Sequence, residues 1–277
     1  MAGFVLTFGA DRSIEVFDGG LTAFLRDMER RLAAGLGFSV ATLNLDHVEK
    51  LGWSDSFHRA YAAHSHVVAD GNPIVWASRL AGRPATLMPG SDMIHPLAAI
   101  AAREGAPVAL MGATDETLRL AAERLQARHP GLRIVARHAP KMGFDAEGPE
   151  GDAALEILRA SGARLVFLAL GAPRQEAFAA RAQGVLPQTG FVSIGAGLDF
   201  IAGAQRRAPR WMRDWALEWL WRAATDPKRL AKRYLRGGLV FPGLALKALR
   251  LRRADAKAAE AAAARQGSTE DKSLQEA

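Results

Sequence analysis

The chain has 277 residues, 49% of them hydrophobic, enough for one large folded core with an appendage and too apolar for a disordered chain. It has no cysteine, which excludes disulfides, thiolate metal sites and a cysteine nucleophile, and which fits a cytoplasmic setting. The net charge of +7 is unevenly placed. Residues 205–253 hold fourteen Lys and Arg against three Asp and Glu, so the rest of the chain is net acidic and this one segment calls for an anionic partner.

No run of about 18 apolar residues predicts a transmembrane helix, and the first residues lack the basic and apolar regions of a signal peptide. Residues 3–8 and 13–17 read as short strands. Leu21, Phe24, Leu25, Met28 and Leu32 recur at helical spacing and predict a helix over residues 21–36. Residues 38–43 form a strand, Asn44 opens a helix, and residues 54–63 form another. The apolar run Val67–Ala69 stops at Asp70-Gly71, and a helix follows from Pro73 to Leu80. Arg83 and a Gly90-Ser91-Asp92 turn come next, then a helix to Arg103. A strand over 106–111 closes on Gly112, with a helix over 114–128 behind it. A strand over 132–136, a helix over 152–161 and a strand over 165–170 follow. Gly171-Ala172-Pro173 then turns into a helix over 174–182, and a strand over 191–194 ends in Gly195-Ala196-Gly197.

Strands alternating with helices predict an α/β fold: a doubly wound, mainly parallel Rossmann-like sheet with a C-terminal helical appendage. We divide the chain into a core over 1–205, a basic, Trp-rich appendage over 206–253, and an Ala- and charge-rich tail over 254–277 that extends a helix and then frays. In such a sheet the strand ends at Thr42-Leu43-Asn44, Asp70-Gly71, Gly112, Gly171 and Gly195 share the carboxyl edge, where ligands bind. Asp70 suits a general base there, and equally a helix cap. The glycines let backbone approach a phosphate or ribose, or simply make tight turns. Gln175 can read a base or ribose edge, and Glu176 can do so or complement the helix dipole. A nucleotide site follows, without a reaction.

Other chemistries are thinly supported. His58, His64, His66, His95 and His138 lack the spacing of a helical zinc site, and no G-x-S-x-G elbow is present. The missing G-x-G-x-x-G fingerprint counts against a dehydrogenase, although another nucleotide-dependent Rossmann-like enzyme stays open. Residues 210–223 hold four of the six tryptophans, and residues 228–253 mix basic and apolar positions. That mixture suits a helix lying on a membrane interface, or a Trp stripe packed on the core with a solvated basic face. It lacks a nucleic-acid-binding signature, so no nucleic-acid partner is expected.

Seven motifs then occur in order: Thr42-Leu43-Asn44, Ala69-Asp70-Gly71, residues 82–92 with GRP and PGSD, LMGA over 110–113, LGAPRQE over 170–176, IGAGLDFIAG over 194–203, and RAPRWMRDWALEWLWR over 207–222. Together they resemble the WecG/TagA/CpsF glycosyltransferase family. The resemblance implies transfer of a sugar from a UDP-sugar to a polyprenyl-diphosphate-linked saccharide for exopolysaccharide or cell-envelope glycan, with inversion and with neither metal nor cofactor. It implies peripheral work on the inner face of the cell membrane. It makes Asp70 the base and places Thr42, Asn44, Arg83, Gln175 and Asp199 at the donor, beside Gly71, Gly112, Glu176 and Gly195 of the same edge. Arg222, Arg229, Lys232 and Arg233 are implied to hold the lipid diphosphate and the membrane. The sequence has no DxD motif near a strand end, in keeping with a metal-independent mechanism. Asn72 and the His138–Phe144 loop depart from the family pattern and leave the donor sugar open among UDP-ManNAc, UDP-ManNAcA and UDP-glucose. A homo-oligomer is also left open.

Overall fold

Three strands carry no polar alternation. Every residue of β3 (Phe38–Leu43), β5 (Val108–Gly112) and β8 (Gly190–Ser193) is buried, as in strands covered on both faces. The computed structural model describes residues 3–9, 11–209, 211, 212, 215–225 and 237–259, and of residues 222–225 only the backbone. Together with β4 (His66–Ala69), β6 (Ile134–His138) and β7 (Leu165–Ala169), these strands form a six-stranded sheet in the order β4-β3-β8-β7-β5-β6. All of its pairings are parallel. The first two strands, β1 (Phe4–Phe8) and β2 (Arg12–Val16), pair only with each other, as an antiparallel hairpin.

Helices cover both faces. On one, α1 (Gly20–Ala34), α5 (Gly90–Arg103), α6 (Asp115–Arg128) and α9 (Gly197–Ala202) pack Phe24, Leu97, Leu118 and Leu198 against Val40, Leu110 and Val192. On the other, α2 (Leu45–Trp53), α3 (Asp55–Ala62) and α4 (Asn72–Leu80) cover β3 and β4, while α7 (Pro149–Ser161) and α8 (Arg174–Val185) cover β5, β7 and β8. The sheet is therefore doubly wound. Helix starts are set by side chains: Asn44, Ser54 and Thr114 each accept from the backbone N–H three residues on.

Several boundaries move for local reasons. Helix α5 starts at Gly90, so Asp92 lies in its first turn rather than in a loop. Extended Pro89 ends the preceding stretch there. Strand β6 starts at Ile134, two residues later than its apolar run suggests, because Leu132 is spent in a turn, its N–H bonded to His129 O. Pro149 takes the first turn of α7, three residues ahead of the expected start. Helix α9, which the glycines of residues 195–203 conceal, closes on left-handed Gly203.

A short helix, α10 (Glu218–Thr225), follows in the Trp-rich segment. Residues 237–259 form a further helix, which continues through residue 253. It is part of the core: Leu244 and Ala248 are buried with Phe4, Leu6 and Phe8 of the hairpin. Phe241 meets Trp76 edge-on at 6.1 Å, and Lys247 donates to Thr7 O at 3.0 Å. Among the described residues no helix is long and apolar enough to cross a membrane.

Candidate active site at the carboxyl edge of the sheet

Because the six strands are parallel, Asn44, Asp70, Gly112, Gly171 and Gly195 come to one edge. Strand β3 leads to α2 on one face, and its neighbour β8 leads to α9 on the other. Their ends part in the middle of the sheet, which is where open α/β sheets take ligands.

Asp70 follows β4 directly, and its N–H is bonded to Leu43 O at 2.7 Å. The cap of α4 is Gly71, whose φ of 112° and ψ of 139° suit glycine alone. Asp70 thus stands one residue outside the helix-capping position. Beside it a buried platform forms. Thr42 Oγ1 donates to Ser193 O at 3.3 Å, Tyr61 Oη donates to Thr42 O at 3.2 Å, and His47 Nδ1 lies 2.5 Å from Tyr61 Oη. Burial, and then the negative fields of Glu176, Asp70 and Asp46, raise the Tyr61 hydroxyl well above the usual phenol range. Asn44 Oδ1 caps α2 by accepting from His47 N at 3.1 Å.

Helix α8 brings Gln175 and Glu176 to the same edge, both buried. Gln175 Nε2 donates to Glu176 Oε1 at 2.8 Å, which leaves Gln175 Oε1 and Glu176 Oε2 buried without a partner among the described residues. Burial pushes the Glu176 carboxyl from an ordinary 4.5 up to about 7, against the lowering effect of Gln175. On the far side of β8, Gly195 lies in the left-handed region and Asp199 occupies the first turn of α9, its Oδ2 accepting from Gln205 Nε2 at 3.0 Å. Gly112 has a packing role: a Cβ there would lie 2.4 Å from the backbone carbonyl of Ala169.

Arg83 is not brought to this edge. Leu87 bridges Ala69 in parallel, so Arg83, four residues earlier, lies toward the amino end of the strands. There it donates to Asp255 through Nε at 2.9 Å and Nη2 at 2.7 Å, and to Gly3 O through Nη1 at 2.9 Å. Arg222 falls on α10, and Arg229, Lys232 and Arg233 lie outside the described residues. Among the described residues no three His, Asp or Glu are grouped to hold a metal. Two groups that sequence reasoning passed over do reach the edge. Tyr61 is one. Arg207 is the other, ion-paired with Asp92 and within the field of Asp70.

The sequence profile of the Glycosyl transferase WecG/TagA/CpsF family matches residues 13–255. The chain belongs to this family. It is a glycosyltransferase. Relatives include the N-acetylglucosaminyldiphosphoundecaprenol N-acetyl-beta-D-mannosaminyltransferases of Staphylococcus aureus strains NCTC 8325 / PS 47 and COL. Each is 29% identical over 180 residues, a span of 63% of this chain and 68% of the relative.

For this glycosyltransferase the buried carboxyl of Glu176 has a measurable signature. Its folded-state value, about 7, exceeds the unfolded 4.5, so between those pH values the folded protein holds a proton that the unfolded chain has lost. Stability therefore falls as pH rises from about 4.5 to about 7 and stays lowered above that, by ~3 kcal/mol. Glu176→Gln removes this loss, so in urea titrations the variant gains on the wild type between pH 5 and pH 8. A constant difference across that range would contradict the assignment.

Proposed function

We propose that the protein transfers a sugar from a UDP-sugar to a polyprenyl-diphosphate-linked saccharide, with inversion at the anomeric carbon, during synthesis of an exopolysaccharide or related envelope glycan. The observation that carries this reading is Asp70, a carboxylate at the carboxyl end of β4 and outside the capping position of the helix behind it. Inversion in one displacement needs one base to take the proton of the acceptor hydroxyl as it attacks. Asp70 fills that role. Thr42, Asn44, Gln175, Glu176 and Asp199 surround the nucleoside and sugar of the donor, with Gly71, Gly112 and Gly195 shaping the backbone beneath it.

The relatives' activity on an undecaprenyl-diphosphate-linked sugar supports a lipid acceptor. So does the surface of the appendage. Trp211, Trp215, Trp219 and Leu220 are all exposed, in a segment rich in arginine. Of the two readings of the Trp stripe, these exposures favour an interfacial one, with aromatic rings at headgroup level and basic residues drawn to anionic lipid. Arg222, Arg229, Lys232 and Arg233 then meet the acceptor's diphosphate, at the inner face of the membrane.

The test is a panel of UDP-ManNAc, UDP-ManNAcA and UDP-glucose with a polyprenyl-diphosphate-linked N-acetylglucosamine in anionic vesicles. One donor is expected to be consumed, with inverted configuration in the product. Calorimetric binding of NAD but not UDP, with no transfer from any donor, would overturn the reading.

A further inference from the structure

After α9 the chain turns at Gly203, Gln205 N–H bonds to Asp199 O, and Arg207 arrives over the first turn of α5. That helix end is wedged against β8: a Cβ on Gly90 would lie 2.9 Å from Ile194 Cα. The stretch leading into it bonds to β4, through Met88 N–H to Ala69 O at 2.8 Å. Asp92 and Asp70 therefore flank one corner of the sheet edge, and Arg207 stands between two chain segments that each lead to a carboxylate. Its Nη1 is ion-paired with Asp92 Oδ1. Its Nε is buried and has no acceptor among the described residues. Burial would weaken its charge, but the pair with Asp92 and the fields of Glu218 and Asp70 hold it firmly protonated.

We propose that Arg207 is a catalytic residue whose guanidinium takes the outer phosphate of the donor's diphosphate, and that Asp92 is the positioning residue that holds it beside Asp70 until the donor arrives. The inference rests on the UDP-sugar reading above. In the transfer step the acceptor's O–H bond breaks, and its proton passes to the Asp70 carboxylate. A bond forms from that oxygen to the anomeric carbon. The bond from the anomeric carbon to the diphosphate oxygen breaks, and its electron pair leaves with UDP. One unit of negative charge thus moves from Asp70 to the outer phosphate. Only a cation nearer the phosphate than the base favours that movement, because interactions accelerate a step when they strengthen in the transition state. Anchoring the guanidinium on Asp92 rather than on Asp70 achieves this. A planar guanidinium has five N–H donors, and the unused buried Nε is one that a phosphate oxygen can take. The N-terminal turn of α5 adds its own attraction for anions. A purely mechanical role for the pair is poorly motivated, since Asp92 is 45% exposed and pairs so open to water add little stability.

The test uses the full chain with Arg207→Met, Arg207→Lys and Asp92→Asn, and UDP and UMP as calorimetric probes. Arg207→Met is expected to lose ~100- to 1,000-fold in kcat, as when a preorganised donor to developing charge is removed. Its affinity for UDP falls more than tenfold while its affinity for UMP, which lacks the outer phosphate, stays within about twofold. Arg207→Lys falls between Arg207→Met and wild type, and Asp92→Asn, which loosens the guanidinium, loses part of the wild-type preference for UDP over UMP. Equal losses for UDP and UMP in Arg207→Met, no loss for either, or an Asp92→Asn variant with the full wild-type preference for UDP would each overturn the proposal. The parent reading fails separately, on the wild type alone, if that protein binds ADP or GDP as tightly as UDP.

Discussion

Asp70→Asn is expected to lower sugar transfer by ~100- to 10,000-fold while UDP binding stays within about twofold. The amide keeps the volume and most of the hydrogen-bonding geometry of the carboxylate but cannot accept the proton of the acceptor hydroxyl. The fold should tolerate the change, because the chain turn at this point is set by backbone. Asp70 N–H is held by Leu43 O, and the sharp φ of 112° belongs to Gly71. The loss should therefore fall on kcat rather than on the donor's KM, the pattern of an interaction made in the transition state. A variant with near wild-type kcat would remove Asp70 from the role of base.

The largest loss of stability is expected from Gly112→Ala. Two separate penalties meet there. A φ of 109° is strained for any residue with a Cβ, and that Cβ would lie 2.4 Å from the carbonyl of Ala169 in the neighbouring strand. Strain and overpacking each cost about 1–3 kcal/mol, so the variant should unfold ~5–15 °C below the wild type in a thermal melt. Gly195→Ala is the control. Its φ of 54° carries strain too, but nothing lies within 4 Å of its Cβ, so its melting point should fall by much less. Equal shifts for the two would mean that the contact between β5 and β7 is looser than the structure shows.

The sheet was largely legible in the sequence because its strands are covered on both faces. Unbroken apolar runs such as Val108–Met111 and Leu165–Ala169, each bounded by a glycine turn, read as strands buried on both faces. The shared edge was legible for a related reason: an all-parallel sheet sends every strand end the same way, so Asp70, Gly112 and Gly195 needed no further information to be placed together. What a linear reading lacks is direction within a connection. Arg83 belongs to a motif that resembles the family's donor site, yet helix α4 carries the chain down the sheet before Arg83 appears, and its partner is Asp255. Arg207 was missed in the opposite sense. It was visible only as the first residue of a basic motif, while the groups that give it meaning, Asp92 and Asp70, lie more than a hundred positions earlier. Tyr61 sat unnoticed on a helix with no ligand signature, because its hydroxyl finds Thr42 and His47 only after α3 folds back over β3.

The helix over residues 237–259 changes how the appendage can be dissected. Its Leu244 and Ala248 complete the apolar cluster that holds Phe4, Leu6 and Phe8, and Asp255 fastens it to Arg83. Cutting the chain after Gln205 therefore strips a wall from the hairpin as well as removing the basic segment, and the fragment would aggregate for reasons unrelated to lipid.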